Sequence, residues 1–207
     1  RRQRQMCIRD RSGAETLSLF VCPQSIEKED IVVPSNVTGI SAGAFKECET
    51  IKTVTLPDGV GGFSTQTFYG CGNLEKVTMN VTGIDVGAHA FGGCKKLTDI
   101  SNVHVRNVGR VGFGGCEKLE YVNITGATIG EKAFSGCSGL KKIPEKIERI
   151  EESAFILCSS LKKINLQEGI EFIGANAFAN TGVTSITIPA SVTSIGCLLY
   201  TSPSPRD

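Results

Sequence analysis

A β-rich solenoid is the fold class this sequence predicts, and three observations predict it. Phe recurs at 45, 68, 91, 113, 134, 155 and 178, at intervals of 23, 23, 22, 21, 21 and 23 residues. One motif surrounds it: Ala-Phe, two residues, Cys, two residues, Leu, two residues, Val or Ile, as in Ala133-Phe134-Ser135-Gly136-Cys137-Ser138-Gly139-Leu140 followed by Lys141-Lys142-Ile143. Short aliphatic runs of period two follow each Cys. A fixed period of about twenty to fifty residues marks a stack of coils, none of which can bury its apolar side alone.

The two ends stand apart from this pattern. Residues 1–11 are Arg-rich and short, like a basic arm or transit peptide. Gln5 to Asp10, however, fit the codons CAG ATG TGT ATA AGA GAC, which resemble a sequencing-library transposon adapter. Cys197 to Ser202 fit TGT CTC TTA TAC ACA TCT, the reverse complement of the core shared with the first string. One inverted DNA element at both ends is not expected of protein design, so 1–11 and 197–207 are read as adapter-derived tails. Residues 12–196 are then the genuine segment, a piece of a longer reading frame.

Charge follows from that division. The chain holds 22 Lys and Arg against 21 Asp and Glu. Six of the basic residues (1, 2, 4, 9, 11 and 206) and two acids (10 and 207) lie in the tails, leaving 16 against 19, a net charge near −3. No basic footprint for nucleic acid survives. No apolar run approaches the roughly eighteen residues that cross a bilayer, so no membrane insertion is expected of this segment.

In chain order, Thr16 to Cys22 reads as a strand, and Ile31-Val32-Val33-Pro34 matches Val54-Thr55-Leu56-Pro57 one period later. Residues 12–35 are therefore expected to be a partial or degenerate first coil, and 36–196 the regular array. Val37 and Ile40 precede Phe45 by eight and five residues. Val60 and Phe63, Val105 and Val108, Ile147 and Ile150, and Ile170 and Ile173 hold the same places, with Ile84 and Val86 sharing the role in a looser coil.

After each Cys, Ile51-x-x-Val54-x-Leu56, Leu74-x-x-Val77-x-Met79, Leu119-x-x-Val122-x-Ile124 and Leu161-x-x-Ile164-x-Leu166 alternate with period two, and Ile186 and Ile188 close the series. Such alternation predicts strands with one face in and one out. Strands supplied at one phase by every coil pair in parallel, so seven to eight of them should form one continuous sheet of roughly 35 Å, at about 4.8 Å per coil. Gly70, Gly92, Gly93, Gly114, Gly115 and Gly136, just after the Phe, suit a tight turn of unusual φ.

These residues resemble the BspA-type leucine-rich repeats, whose unit runs Ile-x-Ile-Pro, Val-x-x-Ile-Gly, Ala-Phe-x-x-Cys-x-x-Leu. Ser185-Ile186-Thr187-Ile188-Pro189-Ala190-Ser191-Val192-Thr193-Ser194-Ile195-Gly196 is close to that consensus, and Ile173-Gly174-Ala175-Asn176-Ala177-Phe178 continues it. The likeness covers 36–196, with departures where Gly112 replaces Ala, where the 91–155 coils are shortened, and where 179–183 lose one residue and the Cys. It implies a leucine-rich-repeat-like, right-handed coil stack, with a parallel sheet on one side and turns or short 3-10 or helical pieces on the other. It also implies a surface or secreted protein of host-associated bacteria or some protists, adhering to host matrix proteins or other microbes.

Chemistry has little to build on. Cys48, Cys71, Cys94, Cys116, Cys137 and Cys158 occupy one phase and should form a column; Thr181 takes the same slot, and Cys22 stands outside it. Small buried thiols are the favoured reading. Disulfides between neighbouring coils and a metal site are the alternatives, the latter disfavoured because no Cys-x-x-Cys pair exists and a linear ladder does not converge on one ion. His89 and His104 fall at variable surface positions. Gly109-Arg110-Val111-Gly112-Phe113-Gly114-Gly115 places its glycines mostly in turn slots, not in a phosphate loop. Glu29-Asp30 and Glu151-Glu152 read as solvated pairs. No catalytic, cofactor-binding or metal-binding residue is assigned, and no enzyme is expected.

What remains is surface. The residues flanking each inward strand residue should project outward: Thr53 and Thr55, Lys76 and Thr78, Asp99 and Ser101, Tyr121 and Asn123, Lys142 and Pro144, Lys163 and Asn165, Ser185 and Thr187. Repeat proteins commonly bind macromolecules with such a face, and Tyr121 is its best anchor, since Tyr brings contact area at low entropy cost. The partner expected is a protein, and the chain itself a monomer. The competing expectation is a structural spacer presenting a catalytic or anchoring domain beyond this segment. Asn-x-Thr occurs at Asn36, Asn80 and Asn123, read as a by-product of Thr-rich repeats in a bacterium and as glycosylation sites in a secreted eukaryotic protein.

Overall fold

The computed structural model describes residues 7–8, 17–21, 28–100, 102–124, 126 and 128–199. Its strands are β1 (Cys7–Ile8), β2 (Leu17–Val21), β3 (Asp30–Val32), β4 (Val37–Ile40), β5 (Thr53–Thr55), β6 (Gly62–Phe63), β7 (Lys76–Thr78), β8 (Thr82–Val86), β9 (His104–Val108), β10 (Thr128–Ile129), β11 (Arg149–Ile150), β12 (Phe172–Ile173) and β13 (Ser194–Ile195). The chain is a parallel β-solenoid of about seven turns. Among the described residues there is no helix, and the Phe corners are turns.

The coils stack on their phenylalanines. Each corner Phe lies over the next, with ring centroids 4.9–5.4 Å apart and planes within 18° of parallel, from Phe45–Phe68 to Phe155–Phe178. All seven are essentially inaccessible to water, and burying each contributes about 2–3 kcal/mol. Phe63 stands edge-on to Phe68 and Phe91, with centroids at 5.9 and 4.8 Å, thickening the column where the coils are longest.

The backbone runs a second ladder beside the rings. Phe45 N–H donates to Thr67 O, Phe68 N–H to Ala90 O, Phe91 N–H to Gly112 O and Phe113 N–H to Ala133 O, and the series continues to Phe178. Making these bonds requires a left-handed residue on each side of the Phe. Two places before it stand Gly43, Gln66, His89, Val111, Lys132, Ser153 and Asn176, and two after it Glu47, Gly70, Gly93, Gly115, Gly136, Leu157 and Asn180, all with φ of 53–78°. Of the glycines expected to serve here, Gly70, Gly93, Gly115 and Gly136 do, whereas Gly92 and Gly114 have no left-handed φ. Their slot is instead a close-packed one: a Cβ on Gly114 would lie 2.4 Å from Val111 Cγ1, and one on Gly92 3.1 Å from the Tyr69 ring.

The continuous sheet differs from the expected one. It has seven strands in the order β13-β12-β11-β10-β9-β8-β6, and lies before each Phe rather than after each Cys. Its register joins Phe63, Val86, Val108, Ile129, Ile150, Ile173 and Ile195, six of which precede a corner Phe by five residues. The segments after Cys pair only as β3-β5-β7, extended by a parallel bridge from Lys76 to Asp99. A third sheet, β1-β2-β4, leads into the array, antiparallel between β1 and β2 and parallel between β2 and β4.

Chain length explains the switch. From the inward residue after Cys to the strand residue before the next Phe is nine positions for Val54 to Phe63, but seven for Val122 to Ile129 and for Ile143 to Ile150. Constant length to the Phe keeps the pre-Phe strands in register; variable length behind the other segment costs it its ladder. Pro144 adds to the loss, because it has no N–H to donate.

Candidate protein-binding face

The inward residues after each Cys pack as expected: Val54, Val77, Ile100, Val122 and Ile143 are buried, and Ile164 and Ile186 half-buried. Their flanking residues therefore form a ridge of outward slots, one pair per coil. Thr55, Lys76, Tyr121, Lys142, Lys163, Asn165, Ser185 and Thr187 are exposed, while Thr53, Thr78, Asp99 and Asn123 are half-buried. Ser101 lies outside the described residues. Pro144, expected outward, is buried.

Along the first coils the ridge satisfies itself. Register places Asp30, Thr53 and Lys76 side by side, and Val32, Thr55 and Thr78 beside them. Thr53 Oγ1 donates to Asp30 Oδ1 at 2.6 Å. Lys76 Nζ meets Asp99 Oδ2 at 2.8 Å, and one slot over Lys52 meets Glu29 at 2.8 Å. Asn123 Nδ2 lies 2.9 Å from His104 Nδ1, so two residues expected to be independent share one contact. Val32 is 72 % exposed and extends the ridge before Thr55; periodicity alone had given it no special role.

The later coils behave differently. Tyr121 is 43 % exposed. Lys142 and Lys163 have no acidic partner among the described residues, although Lys141 reaches Glu120 at 2.6 Å. Beside Tyr121 opens a hollow of about 360 Å³, lined by Glu120, Tyr121, Lys141, Lys142, Ile143 and Glu145. A second, of about 610 Å³, follows where the seven-residue stretch meets a nine-residue one, lined by Glu145 to Glu148 and Gln167 to Gly169. The sequence signal for both was the 21-residue interval, which marks a missing pair of residues but not the void it leaves.

The cysteine column is structural. Cys48, Cys71, Cys94, Cys116, Cys137 and Cys158 are buried and free of disulfides. Five donate a thiol proton to the Phe carbonyl of the preceding coil at 2.8–3.2 Å, Cys71 to Phe45 and Cys158 to Phe134 among them. Burial pushes their thiols up, to about 12 for Cys71 and Cys158 and well above 9.0 for Cys94, Cys116 and Cys137. A thiol so held is neither nucleophile nor ligand at neutral pH. Thr181 keeps the bond within its own coil, donating to Phe178 O at 2.8 Å. Among the described residues no group of His, Cys, Asp and Glu is placed to hold a metal ion, and no helix is long and apolar enough to cross a membrane.

Comparison with known proteins agrees with this geometry. The family model of the BspA type leucine rich repeat region matches residues 18–141 and 102–203, in six copies. A leucine rich repeat protein of T. pallidum has a similar fold at 22 % identity, with a TM-score of 0.67 over 80 % of this chain and 81 % of that one. A leucine rich cell surface protein of Faecalibacterium prausnitzii A2-165 is 24 % identical over 90 % of this chain, with a TM-score of 0.58. A leucine-rich repeat protein of Eubacterium ventriosum is 18 % identical over 85 %, with a TM-score of 0.55. The chain spans only 49 % and 48 % of these last two. No curated protein matches it.

Proposed function

Because the chain belongs to the BspA-type leucine-rich repeat family, we propose that it is a non-enzymatic protein-binding array, working at the cell surface or in the secreted space as a monomer. The observation that carries this is the contrast along one ridge. Its first coils close their polar groups on each other, whereas Tyr121, Lys142, Lys163, Asn165, Ser185 and Thr187 present theirs to solvent, Tyr121 and Lys142 at the edge of a hollow. Stacked Phe rings and the ladder beside them fix the coils that carry that surface, which lowers the entropy lost on binding. A host matrix protein or another microbe's surface protein is the partner class, in keeping with the similarity to a cell surface protein.

The experiment is solid-phase binding of the purified chain to matrix proteins and microbial surface extracts, with Tyr121→Ala beside it. Saturable binding that Tyr121→Ala weakens about tenfold supports the reading. Absence of binding to every protein tested, with a domain beyond this segment binding them, removes it. In that case the spacer role takes its place, favoured by the self-satisfied Asp30–Thr53 and Lys76–Asp99 contacts of the first coils.

A further inference from the structure

Charges on this solenoid pair between neighbouring coils. Lys52 takes Glu29, Lys76 takes Asp99, Lys95 takes Glu117, Arg106 takes Asp85, Arg110 takes Glu131 and Lys141 takes Glu120. In five of these six, the partners fill matching slots one coil apart; Arg106–Asp85 is offset by one residue, since Asp85 stands opposite Asn107.

Some slots break the rule: Lys96 matches Lys118 and Glu131 matches Glu152, and two adjacent coils do so over two successive slots. Leu140 and Leu161 are equivalent, so Lys141 stacks on Lys162 and Lys142 on Lys163, like charge on like. The rings of the same coils, Phe134 and Phe155, are 5.3 Å apart. Lys142, Lys162 and Lys163 are exposed and have no acidic partner among the described residues. Among the described residues no backbone ladder joins these two segments, and like charges on neighbouring coils repel, so the fold itself gains nothing from this block.

We propose that this lysine block, with Tyr121 and the hollow beside it, docks an acidic, aromatic-bearing segment of a protein partner. The inference rests on the protein-binding reading and names its chemistry. The carboxylates of the segment neutralise Lys142, Lys162 and Lys163, and an apolar side chain enters the hollow between Tyr121 and Ile143. Glu120 and Glu145 on the rim of that hollow repel a polymer carrying negative charge on every unit, so a polysaccharide or nucleic acid fits less well than a peptide whose acids are interspersed.

The test uses the full chain and three labelled probes: a peptide alternating Asp with Phe, its Asn-for-Asp counterpart, and a heparin oligosaccharide. The alternating acidic peptide is expected to bind, weakening as salt rises from about 0.05 to about 0.5 M. The Asn counterpart should bind at least about tenfold more weakly. The Lys142→Gln/Lys163→Gln chain should lose the peptide by a similar factor while melting no lower than the parent, because only repulsion has been removed. Heparin binding tighter than the peptide, or peptide binding undiminished in the double variant, overturns the proposal. A matrix protein captured equally by parent and double variant also overturns it, and leaves the protein-binding role standing.

Discussion

Cys137 Sγ donates to the carbonyl oxygen of Phe113, one coil earlier, at 3.0 Å. The same oxygen accepts the N–H of Cys116 at 3.1 Å, so this carbonyl, like those of Phe45, Phe68, Phe91 and Phe134, is shared by two coils. The thiol thus acts as a weak inter-coil donor.

From this follows a prediction about alkali. Burial raises the folded thiol above its ordinary 9.0, to about 12 for Cys71 and Cys158. The neutral thiol is the form the fold accepts, so the folded state holds protons the unfolded state releases. Stability from these groups is complete below about pH 9 and is lost as pH rises toward 12. Each thiol contributes a slope of about 1.4 kcal/mol per pH unit inside that window. Melting followed by circular dichroism should be flat in this respect up to about pH 9 and then fall steeply.

Reactivity should divide the cysteines in the same way. Iodoacetamide on the native chain, mapped by mass spectrometry, should label exposed Cys197 and spare Cys48, Cys71, Cys94, Cys116, Cys137 and Cys158. Urea should open all six together, because coils that share one ladder unfold with their neighbours. Rapid labelling of any column cysteine in the native chain would contradict the packing.

Phe134 stacks on Phe113 and Phe155 at 5.3 Å each. Phe134→Ala removes both contacts and leaves a cavity that coils held by backbone ladders cannot close, at a cost of about 3–5 kcal/mol. Phe134→Leu fills most of the volume and should cost less than half as much. Urea denaturation of the two variants checks the ratio.

Val111 has a φ of 53°, a β-branched residue in the left-handed region, where it is a genuine outlier. Asn176 fills the equivalent slot at 54°. Val111→Asn should therefore stabilise the chain by up to about 1 kcal/mol. Gly115→Ala should do the reverse, by about 1 kcal/mol, although a Cβ there meets nothing nearer than 3.7 Å; its φ of 74° sets the cost, not space.

Lys76 and Asp99 are both partly exposed, so their pair should be weak. A double-mutant cycle with Lys76→Ala and Asp99→Ala should give a coupling below about 1 kcal/mol that shrinks with salt. Neither change should affect binding at Tyr121, since the Asp30–Thr53 and Lys76–Asp99 contacts close four coil slots of the ridge among themselves.

The linear chain by itself determined the coil. The Phe period, the cysteine phase and the inward Val54, Val77, Ile100 and Val122 are local facts, since each coil repeats the same demand for burial. It also marked most of the outward slots, because a side chain next to a buried strand residue must point the other way. Only the tertiary structure decided where the long sheet runs. Two-residue strands such as Arg149–Ile150 carry no period to read; they exist because the neighbouring coil offers a ladder in register. Whether two ridge residues neutralise each other was likewise undecided until coils of unequal length were stacked. Stacking pairs Lys76 with Asp99 and leaves Lys142 and Lys163 without an acid among the described residues, because a charge finds its partner across coils, not along the chain.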